Sequence, residues 1–335
     1  MVLVQTPLRI SLFGGSSDYA EWFMHSPEGG AVLGMAINHY VYMAVQPMTL
    51  GSPLRYRIRY SLVDDCQTVD EIQHPAVKAA LKYYGIDSPL LITCFGDLPG
   101  GAGLCRSSAF CVVILKAIQT HFNLPTTNSV LDLASEATSF ERHIIPETVG
   151  FQDQVFAAVG GLNFLTFDRT GTTVQRLHIA EERLRELEQS LVLVYVGNTR
   201  NAYSMAKKQV SAIPQNHDLL LDLVEMARAG RDVLLNSIYP LYLLGGILHK
   251  AWKAKILLCP DVTNPNIDTL YEHGLRCGAV GGKLVGAGGG GFLLFFIPPE
   301  NHINFKNKIG APCVTLKIST TGSRVVSLNR ESTNE

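Results

Sequence analysis

The sequence lacks the features that mark several large classes of protein. Its 28 basic and 29 acidic residues leave a net charge of −1, so no basic surface for nucleic acid is predicted. No uninterrupted apolar run approaches the roughly 20 residues of a membrane-spanning helix. The N-terminal segment has no basic flank and no long apolar core, which argues against a signal peptide. We therefore expect a cytoplasmic protein that binds neither nucleic acid nor a membrane.

Paired cysteine motifs are also absent. The 7 cysteines are odd in number and scattered, and no Cys-x-x-Cys pair occurs. Neither a zinc site nor a disulfide framework is therefore predicted. Most of the cysteines lie in apolar contexts, where a free thiol behaves as a small buried hydrophobic group. This cysteine usage fits a reducing compartment.

The chain does have the length and apolar content of a well-packed globular protein. Its 335 residues are 47% hydrophobic and 17% charged, which is enough for two domains or one large one. The order of predicted elements is strand-rich at first and then has helices interleaved. This order predicts an α+β architecture of two halves rather than a doubly wound parallel sheet. The charged segment 180–189 is the predicted junction, between an N-terminal domain over 1–180 and a C-terminal domain over 190–330.

Hydrophobic periodicity predicts the regular elements. Strands are predicted at residues 2–12, 31–46, 55–62, 90–96, 162–168, 191–196 and 292–297. Helices are predicted at residues 75–84, 110–118, 130–144, 201–210, 219–237, 244–254 and 267–274.

Residues 97–109 form the most informative segment. It is small and glycine-rich, and it runs directly into an apolar segment, 110–118, that is typical of a buried helix. Unpaired N–H groups and the helix dipole favour an anion at such an N-terminus, and glycine lets the backbone approach it. One interpretation is a nucleotide phosphate loop, with the Ser107 and Ser108 hydroxyls able to reach a phosphate-bound Mg²⁺. The other is an ordinary glycine-rich turn capped by serine.

Two further glycine-rich segments lie at 13–19 and 286–291. Four consecutive glycines before a buried strand are costly in chain entropy. The second segment therefore favours a backbone that lies against a ligand or against another part of the chain, over a simple tight turn.

Three charged residues are candidates for chemistry. Glu141 lies late in a predicted helix, and Asp153 follows a Pro/Gly turn. This layout can return both carboxylates to one cleft, one for a metal and one near a reacting hydroxyl, although acids at this spacing are also common on solvated surfaces. Arg9 lies in an apolar strand just before the first glycine-rich turn. It is either a sheet-edge or ion-pair residue or a catalytic cation.

Taken in order, the motifs resemble those of the GHMP kinase superfamily, and the resemblance runs through nearly the whole chain. It rests on PLRISLFGGSSDY at 7–19, PGGAGLCRSSA at 99–109, VGFQDQ at 149–154 and GKLVGAGGGGF at 282–292. Within the superfamily the chain is most similar to the D-glycero-D-manno-heptose 7-phosphate kinases. The residues nearest to that branch are Y-x-G-x-T-R at 195–200, H-x-x-W-x-x-K at 249–255 and the segment 278–292.

The resemblance implies a ribosomal-S5-like nucleotide-binding half and a ferredoxin-like C-terminal half. It also implies an ATP- and Mg²⁺-dependent transfer to the anomeric hydroxyl of a heptose 7-phosphate, which gives the 1,7-bisphosphate for surface polysaccharide precursors. The partner would thus be a small sugar phosphate. A homodimer is compatible with the sequence.

Roles for single residues follow from the same resemblance. Asp153 would take or orient the proton of the sugar hydroxyl, Arg9 would neutralise charge near the transferring phosphoryl group, and Ser107 with Glu141 would hold Mg²⁺. The residues implied to wrap the ATP phosphates are Gly100, Gly101, Ala102, Gly103, Leu104, Cys105, Arg106, Ser107 and Ser108. The predicted substrate-binding residues are Gly15, Ser16, Asp18, Gln152, Arg200, Gly288, Gly289 and Gly290.

The phosphate loop departs from the family pattern. Where the family has Gly-Leu-Gly-Ser-Ser, this chain has Gly-Leu-Cys-Arg-Ser, so Cys105 replaces a glycine and Arg106 a small hydroxyl residue. Arg106 would reach a phosphate, fill the pocket or point to solvent. An active kinase is favoured because the other implied catalytic residues are present. The alternatives are a kinase for an unphosphorylated sugar of the fucose or galactose type, and a weakened or silent nucleotide- or sugar-binding protein.

Overall fold

The structure is a computed structural model that describes residues 1–99, 103–125, 129–197 and 202–328. The strands in these ranges are β1 (Val2–Phe13), β2 (Gly30–Pro47), β3 (Tyr56–Arg59), β4 (Val63–Cys66), β5 (Leu90–Gly96), β6 (Leu162–Asp168), β7 (Gly171–Arg176), β8 (Leu191–Tyr195), β9 (Gly281–Leu284), β10 (Phe292–Phe296), β11 (Cys313–Thr315) and β12 (Arg324–Leu328).

The helices are α1 (Ala20–Phe23), α2 (Pro75–Tyr83), α3 (Arg106–His121), α4 (Val130–Ser139), α5 (Gln152–Val159), α6 (Glu181–Ser190), α7 (Ala202–Ala212), α8 (His217–Leu235), α9 (Leu243–Leu258), α10 (Pro265–Arg276) and α11 (His302–Lys308). Short 3₁₀ turns lie at Val69–Glu71, Ile213–Gln215, Pro260–Val262 and Pro299–Asn301. None of the helices in the described ranges has the length and apolarity to cross a membrane.

The larger sheet is organised around the long strand β2. This strand pairs antiparallel with β1, and with β6 through its first part and β5 through its last. The strand order is β12-β1-β2-β5-β3-β4, with β6 and then β7 attached beside β2, and only the β3–β5 pair is parallel within the described chain. Because β12 pairs with β1, the last described strand completes the sheet that the first strand begins.

The smaller sheet is antiparallel and has the order β11-β8-β10-β9. Strand β10 is buried at every position, and β8 at all but its last. A separate apolar cluster covers this sheet, in which Trp252 of α9, Tyr271 of α10 and Phe305 of α11 meet Phe295. The two sheets and their helices confirm the predicted α+β class.

Helix α3 lies at the centre of the first half. It packs across β1 and β2 and also contacts α4 and α5, so its residues are apolar on nearly all sides rather than along one stripe. This packing fixes the position of the α3 N-terminus, next to Arg9 of β1, whose N–H donates to the Leu104 carbonyl at 3.4 Å.

The predicted helix over 130–144 is correct as far as Ser139 and then changes form. Residues Phe140–Ile144 make a π-helical turn that ends just before Pro146. Such turns are rare in proteins overall, and those that occur often lie at functional sites. Glu141 lies within this one and is buried. The segment predicted as a junction, 180–189, lies mostly in helix α6.

Candidate active site

A cavity of about 410 Å³ lies where the N-termini of α3 and α5 face β1 and the loop after β9. Its lining brings together residues from all of the glycine-rich segments. The charged residues that line it are Arg9, Asp18, Arg106, Asp153, Lys255 and Lys283. The cavity is therefore the place where the sequence motifs converge.

Arg9 and Asp153 form a two-point ion pair on the cavity wall. The Arg9 Nε lies 2.7 Å from Asp153 Oδ1, and the second guanidinium nitrogen lies 2.8 Å from Oδ2. The remaining nitrogen donates to the Gly103 carbonyl at 3.2 Å. Arg9 therefore holds the carboxylate in one orientation and also ties it to the end of the glycine-rich loop.

Asp18 lies beside this pair and is almost fully buried. It accepts from the backbone N–H of Ser16 at 3.2 Å and from the N–H and side-chain amide of Gln152 at 3.2 and 2.9 Å. Burial raises the pKa of Asp18, and the nearby charge of Asp153 raises it further. A Cβ at position 150 would lie 2.0 Å from Asp18 Oδ2, so Gly150 is required for this close approach.

Glu141 lies behind the cavity lining and is 1% exposed. Its Oε2 accepts from the Gln154 side chain at 2.7 Å, and burial raises the pKa of Glu141 to about 7. The Ser108 hydroxyl lies close enough to oppose that rise. Its buried Oγ nevertheless makes no hydrogen bond of normal geometry within the described part of the chain. The Ser108 hydroxyl is thus a buried polar group without a partner of normal geometry, next to the buried Glu141 carboxylate.

The glycine-rich loop leads into α3 as predicted. Gly100, Gly101 and Ala102 lie outside the described residues, whereas Gly103, Cys105, Arg106, Ser107 and Ser108 line the cavity. Ser107 is exposed in the first turn of α3 and Leu104 is buried. First-turn N–H groups have no intrahelical partner and can bind an anion.

The structure shows the conformation of Cys105 and Arg106, the two residues of the loop that depart from the family pattern. Cys105 has φ of 67°, the left-handed conformation that a glycine would adopt without strain. Burial raises the pKa of its thiol well above the ordinary value, which leaves it neutral. The Arg106 guanidinium folds back, donates to the Leu98 carbonyl and packs against Gly96. Arg106 also lines the cavity, but an anchor on the Leu98 carbonyl is none of the three arrangements expected for this side chain, which were contact with a phosphate, filling of the pocket and exposure to solvent.

The C-terminal glycine segment packs on the phosphate loop. A Cβ at position 286 would lie 2.4 Å from the Gly103 Cα, and Gly286 and Ala287 reach the cavity lining. Gly288 instead packs against Val262, and the Gly289 N–H donates to the Val262 carbonyl at 2.8 Å. These contacts agree with the expectation that the glycine segment 286–291 lies against another part of the chain. Gly288, Gly289 and Gly290 stay predictions as substrate residues, and Arg200 lies outside the described part of the chain.

Some polar residues of the cavity were not predicted from the motifs, among them Gln209, Lys255 and Lys283. Gln209 of α7 accepts from the Ser16 hydroxyl at 3.0 Å and donates to the Ala287 carbonyl. It thereby links two of the glycine-rich segments. Lys255 and Lys283 place two ammonium groups in the same cavity. Both lysines belong to quoted motifs, but spacing alone does not show that they point inward.

Two family models match the chain in the expected order. The model of the GHMP kinases N terminal domain matches residues 71–161, and the model of the GHMP kinases C terminal matches residues 241–314.

Relatives with assigned functions are similar over most of the chain. The D-glycero-alpha-D-manno-heptose 7-phosphate kinase of Campylobacter jejuni is 28% identical over 327 residues, which cover 90% of this chain and 91% of that protein. The bifunctional fucokinase/GDP-fucose pyrophosphorylase of Arabidopsis thaliana is 28% identical over 319 residues, which cover 87% of this chain but only 29% of the longer protein.

The fold also matches a solved structure. A D-glycero-D-manno-heptose 1-phosphate kinase from Bacteroides thetaiotaomicron superposes with a TM-score of 0.78 at 22% identity, over 98% of this chain and 100% of that one. At this identity the likeness establishes the fold alone.

Proposed function

The chain belongs to the GHMP kinases and is an ATP-dependent sugar kinase, and from this premise we propose that its substrate is D-glycero-D-manno-heptose 7-phosphate. The proposed product is the 1,7-bisphosphate, a precursor of surface polysaccharide. The substrate assignment is supported by the similarity to the Campylobacter jejuni enzyme, which extends over nine-tenths of both chains.

The observation that carries the proposed chemistry is the Arg9–Asp153 ion pair, which faces the same cavity as the N-terminus of α3. ATP would place its phosphates on the first-turn N–H groups of α3, and the sugar would contact Asp18 and Gln152. Asp153 would accept the proton of the anomeric hydroxyl as that oxygen bonds to the γ-phosphorus and ADP leaves. Phosphoryl transfer depends on positioning and charge neutralisation, and the ion pair provides the positioning because it holds the Asp153 carboxylate in one orientation.

Mg²⁺ is part of the proposal, and the donors present fit it. This ion takes oxygen ligands and is usually held by one or two carboxylates together with substrate phosphates. Glu141 and the hydroxyl of Ser107 would hold the ion, with the unsatisfied Ser108 Oγ beside them. When bound, Mg²⁺ would neutralise charge on the phosphate oxygens. The described residues contain no group of three or more acidic, histidine or cysteine side chains arranged to hold a metal ion, and a phosphate-bound ion does not require one.

A second candidate is a kinase for unphosphorylated fucose. It is favoured by the similarity to the Arabidopsis protein, whose name includes fucokinase. This activity would use the same Arg9–Asp153 pair and differ only in the sugar.

One assay separates the two candidates. ADP production would be measured with D-glycero-D-manno-heptose 7-phosphate, the same heptose without its phosphate, L-fucose and D-galactose. We expect the highest kcat/KM with the heptose 7-phosphate. A higher kcat/KM with fucose or galactose would replace the substrate assignment while keeping the kinase activity.

A further inference from the structure

Two lysines from the C-terminal half meet in the cavity. The Lys283 side chain comes from β9, is 6% exposed and donates to the Leu12 carbonyl at 3.0 Å. The Lys255 side chain comes from α9 and donates to the carbonyls of Leu284 and Gly286. The Lys255 side chain lies deep in the protein. The small part of its surface that stays accessible lines the cavity.

Neither lysine forms an ion pair with a carboxylate in the described part of the chain. An ammonium group has three donors. Lys283 uses one of them on a carbonyl and Lys255 uses two, so three N–H groups stay available between them. The guanidinium of Arg9 is occupied by Asp153. The described cations of the cavity that lack a carboxylate partner are thus the two lysines and Arg106, and the Arg106 guanidinium is turned toward the Leu98 carbonyl.

The protein environment disfavours this charge in the absence of a ligand. Burial lowers the pKa of Lys255 to about 7, and the neighbouring Arg9 lowers it further while Cys259 opposes the change. Burial likewise lowers the pKa of Lys283, assisted by Lys255 and Arg9 and opposed by Asp18. Two desolvated cations without a counterion are unfavourable unless an anion pairs with them.

We propose that Lys255 and Lys283 form a phosphoryl-binding site in the cavity, separate from the N-terminus of α3. The ligand is a phosphate monoester or terminal phosphoryl dianion. Its source is either the sugar substrate's own phosphate, which rests on the proposed function, or the γ-phosphoryl group of ATP. The contact between Gly286 and Gly103 places Lys255 near the glycine-rich loop, within the space where either group would bind.

Calorimetric titration at pH 8 tests the site with four probes: D-glycero-D-manno-heptose 7-phosphate, the same heptose without phosphate, Mg-ADP and a nonhydrolysable Mg-ATP analogue. The proteins are the wild type, Lys255→Met, Lys283→Met and the matched control Lys250→Met, whose lysine is exposed on the same helix as Lys255. Methionine keeps an unbranched stem and removes the charge. Control binding should equal that of the wild type.

We expect both cavity variants to weaken one probe of a pair by about tenfold or more, the scale of losing a hydrogen-bonded charge. If the variants bind the heptose 7-phosphate more weakly but bind the heptose as the wild type does, the ligand of the two lysines is the substrate phosphate. If they bind the ATP analogue more weakly but bind ADP as the wild type does, the ligand is the transferred phosphoryl group. Unchanged binding of all probes, or equal losses within both pairs, overturns the proposal, because equal losses indicate that Lys255 only clamps the loop carbonyls.

A second measurement does not depend on how the variants fold. The pKa values of the lysine side chains of the wild type can be followed by NMR with isotope-labelled lysine, with and without each probe. The phosphoryl ligand should raise the pKa of the Lys255 ammonium, and no rise with any phosphorylated probe would overturn the site. If the wild type fails to bind heptose 7-phosphate, the substrate assignment fails, and the nucleotide pair still tests the lysines.

Discussion

Arg9 and Asp153 are 144 residues apart in the sequence, yet they share two hydrogen bonds of 2.7 and 2.8 Å on the cavity wall. The strand β1 supplies the cation and the first turn of α5 supplies the carboxylate. Bidentate geometry holds a carboxylate more rigidly than a single contact does. The pair therefore gives the site a preset orientation for the group that is proposed to receive the proton.

Replacing Asp153 by asparagine should reduce kcat far more than it weakens ATP binding. The amide has the size of the carboxylate but cannot accept the hydroxyl proton, and general-base assistance contributes roughly 10²–10⁴-fold to a rate. Steady-state kinetics with the best sugar, together with direct titration of ATP, would measure the two effects. The exposed Asp132 provides the matched control, as Asp132→Asn. A turnover close to that of the wild type would remove Asp153 from its role.

Glu141→Gln should raise the Mg²⁺ concentration that half-maximal ADP production requires. The amide still accepts from Gln154 but lacks the charge that attracts the ion, and Mg²⁺ has few protein ligands, so each one matters. A Mg²⁺ titration at saturating ATP provides the measurement, with the exposed Glu186→Gln as the control. An unchanged Mg²⁺ requirement would exclude Glu141 from the metal site.

Arg106→Ser should raise the KM for ATP by about fivefold to tenfold and leave kcat close to the wild-type value. The guanidinium anchors the Leu98 carbonyl just before the glycine-rich loop, and losing one such hydrogen bond costs about 1 kcal/mol. Tighter ATP binding or faster turnover in Arg106→Ser would show instead that the side chain obstructs the loop. An unchanged KM would show that the anchor has no functional effect.

The stability of the ligand-free protein should depend on pH through Lys255. The pKa of Lys255 lies near 7 in the folded protein, below its ordinary value of 10.5. Between these values the unfolded chain binds more protons, so this group makes the free energy of unfolding rise with pH. Its destabilising effect is complete below pH 7 and disappears near pH 10.5.

Lys255→Met should therefore gain stability relative to the wild type most strongly below pH 7. The difference should shrink at higher pH, with a slope of up to about 1.4 kcal/mol per pH unit. Urea unfolding at several pH values between 6 and 10 would measure it, with Lys250→Met as the control. A difference between Lys255→Met and wild type that stays constant over this range would contradict the shifted pKa.

Much of the fold was predictable because its signals are local. The long strands β1 and β2, the helix after the glycine-rich loop and the strand β10 follow from runs and periodicities of apolar residues in neighbouring positions. The strands β4, β7, β9, β11 and β12 were not predicted. They have only three to six residues each, too few to show a clear period, and they form because neighbouring strands complete their hydrogen bonds.

The motifs, their order and their resemblance to a kinase family can be recognised without the structure, because loop glycines, a helix start and catalytic residue types lie in short segments of the chain. The packing of the folded chain brings Arg9 to Asp153 and Arg106 to Leu98. It also places Lys255 and Lys283 in the same cavity. These relationships join residues far apart in the chain, and burial then sets the charge that each group prefers. The direction in which a side chain points and the degree to which it is desolvated are properties of the packed molecule. The spacing of residues along the sequence does not reveal either of them.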